Sequence, residues 1–123
     1  MVADDLHYRI GEREVISEGT LRFLDGYELE VARRQEVTVR NGEPRVRTVR
    51  YSYHALHRGR AAVRSLFRYD NVHPHPGHET PHHRHEYDWN GNQINPPKHV
   101  GEDGWPTLGD VIDELHEYWR QTR

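Results

Sequence analysis

Val46-Arg47-Thr48-Val49-Arg50-Tyr51-Ser52-Tyr53-His54 alternates with a period of two, putting Val49, Tyr51 and Tyr53 on one face and Arg50, Ser52 and His54 on the other. One apolar and one polar face mark a strand buried on a single side. Just upstream, Asn41-Gly42 offers the positive backbone angles of a tight hairpin. Before it, Tyr27-Glu28-Leu29-Glu30-Val31 alternates in the same way, and the strand pattern runs on through Glu36-Val37-Thr38-Val39-Arg40. Asp25-Gly26 gives another hairpin signal behind the stretch Val15 to Leu24. Downstream, a turn near Arg58-Gly59-Arg60 leads into Ala62-Val63-Arg64-Ser65-Leu66-Phe67-Arg68-Tyr69-Asp70. Up to four strands joined by short turns predict an antiparallel meander over residues 15–70.

The meander leads into a segment of different character. Between His73 and His85, six of thirteen residues are histidine, and Pro74, Pro76 and Pro81 hold the run extended and exclude a regular helix. An irregular Gly/Asn/Pro-rich connection, Asn90 to Pro106, follows. Thr107 then reads as an N-cap with Asp110 in a capping-box position. Leu108, Val111, Ile112, Leu115 and Tyr118 or Trp119 fall on one stripe. The expectation is one α+β domain over residues 1–123. It comprises a meander of about four strands (15–70), a His-rich loop with irregular connection (71–106), and a helix (107–122) covering the apolar face of the sheet.

Composition narrows the function. With 33% hydrophobic and 30% charged residues, the 123-residue chain has a small core and a polar surface. It holds no cysteine, so disulfides and thiolate metal sites are excluded. No apolar run approaches the ~20 residues of a membrane span, and no signal-peptide pattern opens the chain; the expected location is the cytoplasm. The net charge of −3 hides a segregation: residues 33–68 hold ten Arg against Glu36 and Glu43, whereas both flanking regions are acidic. Such a stripe fits a polyanion site or a solvated sheet face.

The histidines admit three readings. His73-x-His75 and His83-x-His85 are pairs whose imidazoles point the same way in extended backbone. With His78, His82, Asp70, Glu79 or Glu86 they could hold a transition metal. Metal-free phosphodiester cleavage needs a base, an acid and cationic donors for the phosphate. His54, Arg50, Arg68, Asp70, His82, His83, Arg84 and His85 supply those types, while Tyr51, Tyr53 or Trp89 would stack on bases where exposed. The third reading is a non-catalytic binding module whose His/Pro loop is a hydrogen-bonding staple. On this reading Phe67, Tyr69 and Tyr53 belong to the core, and His7, His57, His99 and His116 are ordinary surface or helix residues.

In order and spacing, Tyr51-Ser52-Tyr53-His54, Phe67-Arg68-Tyr69-Asp70-Asn71, His73-Pro74-His75 and Pro81-His82-His83-Arg84-His85 resemble the TumE family of small prokaryotic toxins. The resemblance covers residues 15–86 and, more loosely, the helix from Thr107. It implies the toxin of a type II toxin–antitoxin pair, neutralised by a helix-turn-helix antitoxin and acting on RNA. It carries Tyr53, His54, Arg68, Asp70, Asn71, His82, His83, Arg84 and His85 over to the family's site. Two departures stand out: a long connection from Tyr87 to Pro106, and Arg84 where the family motif admits Lys.

The leading expectation is therefore a toxin that cleaves RNA without metal. His83 or His85 and His54 would serve as acid and base, Asp70 would orient a partner, and Arg68 and Arg84 would bind phosphate. Arg50, Tyr53 and Asn71 would contact substrate. No cofactor is expected on this reading, and a homo-oligomer is allowed; a metal at His73, His75 and His78 is the alternative.

Overall fold

Two hairpin turns set the sheet. Asn41 and Gly42 take φ values of 53° and 79°, the left-handed pair that a two-residue hairpin requires, and Asp25 and Gly26, at 62° and 85°, belong to the longer 3-10 turn Leu24–Gly26 that joins Arg22 to Tyr27. The structure, a computed structural model, describes residues 3–71, 83–88, 92–93, 98–99 and 106–122. Its strands are β1 (Ala3–Asp4), β2 (His7–Ile10), β3 (Glu14–Arg22), β4 (Tyr27–Arg40), β5 (Glu43–Arg58), β6 (Val63–Asp70), β7 (His83–Glu86) and β8 (Lys98–His99). A helix, α1 (Leu108–Thr122), closes the described chain. Every pairing is antiparallel, in the order β1-β3-β4-β5-β6-β7-β8, with β2 also on β3.

The fold is α+β with the helix on the sheet, as expected, but the sheet is seven ranks wide rather than about four. Both edges gain strands that alternation did not reveal. At one edge, β1 and β2 lie end to end along β3. A Cβ on Gly19, which has a φ of 145°, would sit 2.2 Å from the Asp5 carbonyl oxygen, so only glycine lets the β1–β2 connection cross there. At the other edge, the expected loop and irregular connection contain β7 and β8. No proline occurs from His83 to Glu86, so every backbone N–H there can enter the ladder.

The apolar positions of β4, β5 and β6 share one face, under α1. Leu29, Tyr51, Phe67, Val111 and Leu115 are at most 1% exposed, and full burial of each aliphatic side chain stabilises by about 1.5–3 kcal/mol. Leu108, Ile112, Tyr118 and Trp119 pack partly buried at the rim of this core. Thr107 and Asp110 form a reciprocal cap: each side-chain oxygen accepts from the other's backbone N–H, at 3.1 and 3.0 Å. Among the described residues no helix is long and apolar enough to cross a membrane.

β4 and β5 outrun their neighbours. β3 pairs with β4 only as far as Glu36, so the hairpin beyond it stands out as a two-stranded arm. Two irregularities break the register of β5. An extra residue, Val49, lies between the pairs Arg34↔Arg50 and Gln35↔Thr48, and a second shift follows Ala55.

Candidate functional site

Cross-strand register builds the site. His54 on β5 pairs with Arg68 on β6, and Arg68 pairs with His85 on β7. Neighbouring strands lie ~4.8 Å apart and directly paired residues share a face. The row His54–Arg68–His85 therefore lies on the face away from α1, with two imidazoles flanking one guanidinium. Asp70, two residues along β6, shares that face.

Asp70 and His85 are buried, with side chains 3% and 7% exposed, and His85 Nε2 lies 3.1 Å from Asp70 Oδ2. Arg68 Nε lies 2.9 Å from the same oxygen, but the approach is off the N–H axis, because neither Arg68 Nε nor Asp70 Oδ1 has a hydrogen-bond partner among the described residues. An Arg68 Nη reaches His85 Nε2 at 3.5 Å, and His85 Nδ1 reaches Gln93 Oε1 at 3.3 Å. A carboxylate on one ring nitrogen fixes the orientation of an imidazole and counters its charge.

His54 is differently placed. Its Nε2 is 2.8 Å from the Ser65 hydroxyl and its Nδ1 is 3.7 Å from a Glu30 carboxylate oxygen. A proton on Nδ1 facing Glu30 leaves the Nε2 lone pair to accept from Ser65. Burial lowers its pKa below the ordinary 6.5; Glu30 pulls upward, while the charges of Arg68 and His85 push further down. The outcome is a neutral imidazole at pH 7, the form that accepts a proton. Beside it a groove of about 390 Å³ is lined by Glu18, Thr20, Glu30, Ala32, Ser52, His54 and Arg68 among others. That volume lies within the range of small-ligand sites.

The structure brings together His54, Arg68, Asp70 and His85, with Arg50 exposed on the same face further along β5. Arg84 stands apart. It faces α1, donating from Nε to the Tyr69 hydroxyl at 3.1 Å and from an Nη to Glu114 at 2.5 Å, and it also pairs with Glu86. Burial opposes its charge, but the bonds and charges of Glu114 and Tyr69 outweigh this, and its pKa is raised. Tyr53 is 2% exposed in the core, stacked on Tyr51 at 5.2 Å. The Asn71 amide is engaged with backbone: Nδ2 donates to the Val49 carbonyl at 3.0 Å and Oδ1 accepts from Tyr51 N–H at 2.8 Å. His83 lies opposite Asp70 and His99 in the ladder. His73, His75, His78 and His82 lie outside the described residues. Among the described residues no three His, Asp or Glu side chains are grouped to hold a metal ion.

Glu30, Ser65 and Gln93 join the site without a motif to announce them. Counting back from Asn41-Gly42 pairs Glu30 with Tyr53; the extra residue at Val49 moves it opposite His54. The Val49 carbonyl is the one Asn71 clips, so the Asp70-Asn71 pair acts twice: Asp70 holds His85, and Asn71 holds the bulge that brings Glu30 to His54.

No curated protein and no solved structure matches the chain. The family described as Toxin TumE matches residues 1–122, nearly its whole length. A match of that span places the chain in the TumE toxin family, as the toxin of a toxin–antitoxin module.

Proposed function

We propose that this toxin cleaves RNA by transesterification, without a metal ion. The observation carrying this reading is the cross-strand row His54–Arg68–His85, one guanidinium between two imidazoles. A ribose 2′-hydroxyl displaces the Ser65 hydroxyl from His54 Nε2 and gives its proton to that nitrogen, while its oxygen attacks the adjacent phosphorus. Arg68 neutralises charge on the non-bridging oxygens. His85, held by Asp70, gives its Nδ1 proton to the leaving 5′-oxygen on the side where the exposed Gln93 lies. The P–O5′ bond breaks, leaving a 2′,3′-cyclic phosphate and a free 5′-hydroxyl. Arg84 acts in this scheme by seating α1, not by binding phosphate.

Incubating purified chain with RNA in the presence of a chelator tests the reading. Cleavage to cyclic-phosphate ends is expected, with His54→Ala and His85→Ala each about 10²–10⁴-fold slower. Full cleavage and full toxicity in both variants would overturn it, and rate loss on chelation would move the chemistry to a metal. The family also supports a helix-turn-helix antitoxin as partner; co-purification with the product of a neighbouring reading frame tests that.

A further inference from the structure

The arm beyond β3 separates its chemistry by face. Gln35 donates to the Thr48 hydroxyl across the hairpin, which puts Gln35, Val37, Val39, Pro44, Val46 and Thr48 on the α1 side by alternation. Every charged residue from 34 to 50 is on the other side. These are Arg34, Arg40, Arg45, Arg47 and Arg50 against Glu36 and Glu43, a balance of +3. This is also the face of His54, Arg68 and His85. Arg34 and Arg47 are paired with Glu14 and Glu36, whereas Arg40, Arg45 and Arg50 are exposed and carry no ion pair among the described residues. The surface between arm and site is continuous. The groove holding His54 and Arg68 shares Glu18, Ala32 and Ser52 with a second groove lined by Arg34 and Arg50, and the small side chains of Ala32 and Ser52 form its floor.

We infer that this face of the arm is a track for single-stranded RNA, leading the strand backbone from Arg40 and Arg45 past Arg50 to Arg68. The inference rests on the proposed RNA chemistry for its polyanion and adds the strandedness, the path and the length. Unpaired guanidiniums along a path bind successive phosphates irrespective of base. Tyr51 and Tyr53 are buried, so they give the track no stacking platform and no base preference. Attack by a 2′-hydroxyl needs a nucleotide free to leave the stack, which a single strand supplies without the cost of unpairing. From Arg45 to His54 the strand rises about 30 Å, which spans at most about nine stacked nucleotides.

Binding of labelled oligouridylates of about three, six, nine and twelve nucleotides to the full-length H85A chain, read by anisotropy, tests the track without cleavage entering the measurement. Affinity is expected to climb with length and level off by about nine nucleotides, and a duplex of the same length is expected to bind more weakly. R40A/R45A in the same background should remove the gain for the longer oligomers. It should also make the slope of log affinity against log salt shallower by about 1.4, at 0.7 per lost contact. Its unfolding midpoint should stay unchanged, since neither side chain has a partner to lose among the described residues. Affinity of R40A/R45A equal to that of the parent H85A chain at every length, or tighter binding of the duplex, overturns the track, and the first result would assign the arm's charge to an acidic protein partner. A chain that binds as expected yet never cuts RNA leaves the track standing and refutes the chemistry proposed above.

Discussion

Strands β6 and β7 carry two ionic clusters back to back, and they differ in how completely they are satisfied. On the α1 side, Arg84 bonds Tyr69, Glu86 and Glu114, with its guanidinium 5.3 Å above the Phe67 ring and 5.5 Å above that of Tyr69. On the other side, Asp70 Oδ1 has no partner among the described residues, Arg68 Nε meets Asp70 off axis, and burial and neighbouring cations hold His54 short of its ordinary proton affinity. A saturated cluster joins two elements and has nothing left to offer a ligand. A buried cluster with capacity to spare is where bound charge would be stabilised most. Adjacent residues of one strand, Arg84 and His85, thus belong to different machines.

Substitution in each cluster separates them. Asp70→Asn keeps the shape but removes the carboxylate that holds His85, and RNA cleavage is expected to fall about 10²–10⁴-fold. Arg84→Ala instead leaves Glu114 and the Tyr69 hydroxyl short of a donor, at a cost of about 1–3 kcal/mol. The unfolding midpoint should drop by several degrees, with cleavage per folded molecule unchanged. Midpoints by calorimetry and rates on the same preparations decide it. An Asp70→Asn chain of full activity, or an Arg84→Ala chain that is inactive yet fully stable, would invert the assignment.

The same contrast explains what the sequence could convey. Alternation in β4, β5 and β6 was plain because one face is apolar, and the capping residues of α1 marked its start. β1, β2, β7 and β8 are short and polar, and edge strands of that kind owe their existence to a neighbour's free backbone, not to a pattern of their own. Arg84 read as a phosphate donor because its motif neighbours are histidines; only the pleat of β7 turns it to the opposite side. Glu30 was invisible for a subtler reason. Its place opposite His54 depends on one inserted residue, and hairpin turns fix register only where no bulge intervenes.

That bulge gives a smaller, sharper test. Asn71→Ala removes the two side-chain bonds that clip Val49 and Tyr51, costing about 1–3 kcal/mol through backbone groups left unpaired. Amide exchange at Tyr51 should quicken, and cleavage should fall because the strand is freer to slip and take Glu30 out of line with His54. Were Asn71 a substrate contact and nothing more, activity would fall while Tyr51 exchange and the unfolding midpoint stayed put.

The finest distinction lies in pH. His54 has a folded pKa below 6.5, so as a base it should hold its rate down through 6.5 and lose it only at lower pH. Glu30 is the neighbour that pulls this pKa upward, and Glu30→Gln removes the pull. The acid limb of the rate profile should then move to still lower pH. Stability follows by linkage. Below 6.5 the unfolded chain binds a proton at this histidine that the folded chain refuses, so stability is full above 6.5 and declines as pH falls toward the folded value. Glu30→Gln lowers that value and widens the window of decline, which unfolding midpoints taken across the acidic range would register. A limb that moves to higher pH in Glu30→Gln would mean that Glu30 does not act on His54 as a charge, and the row would lose its assigned base.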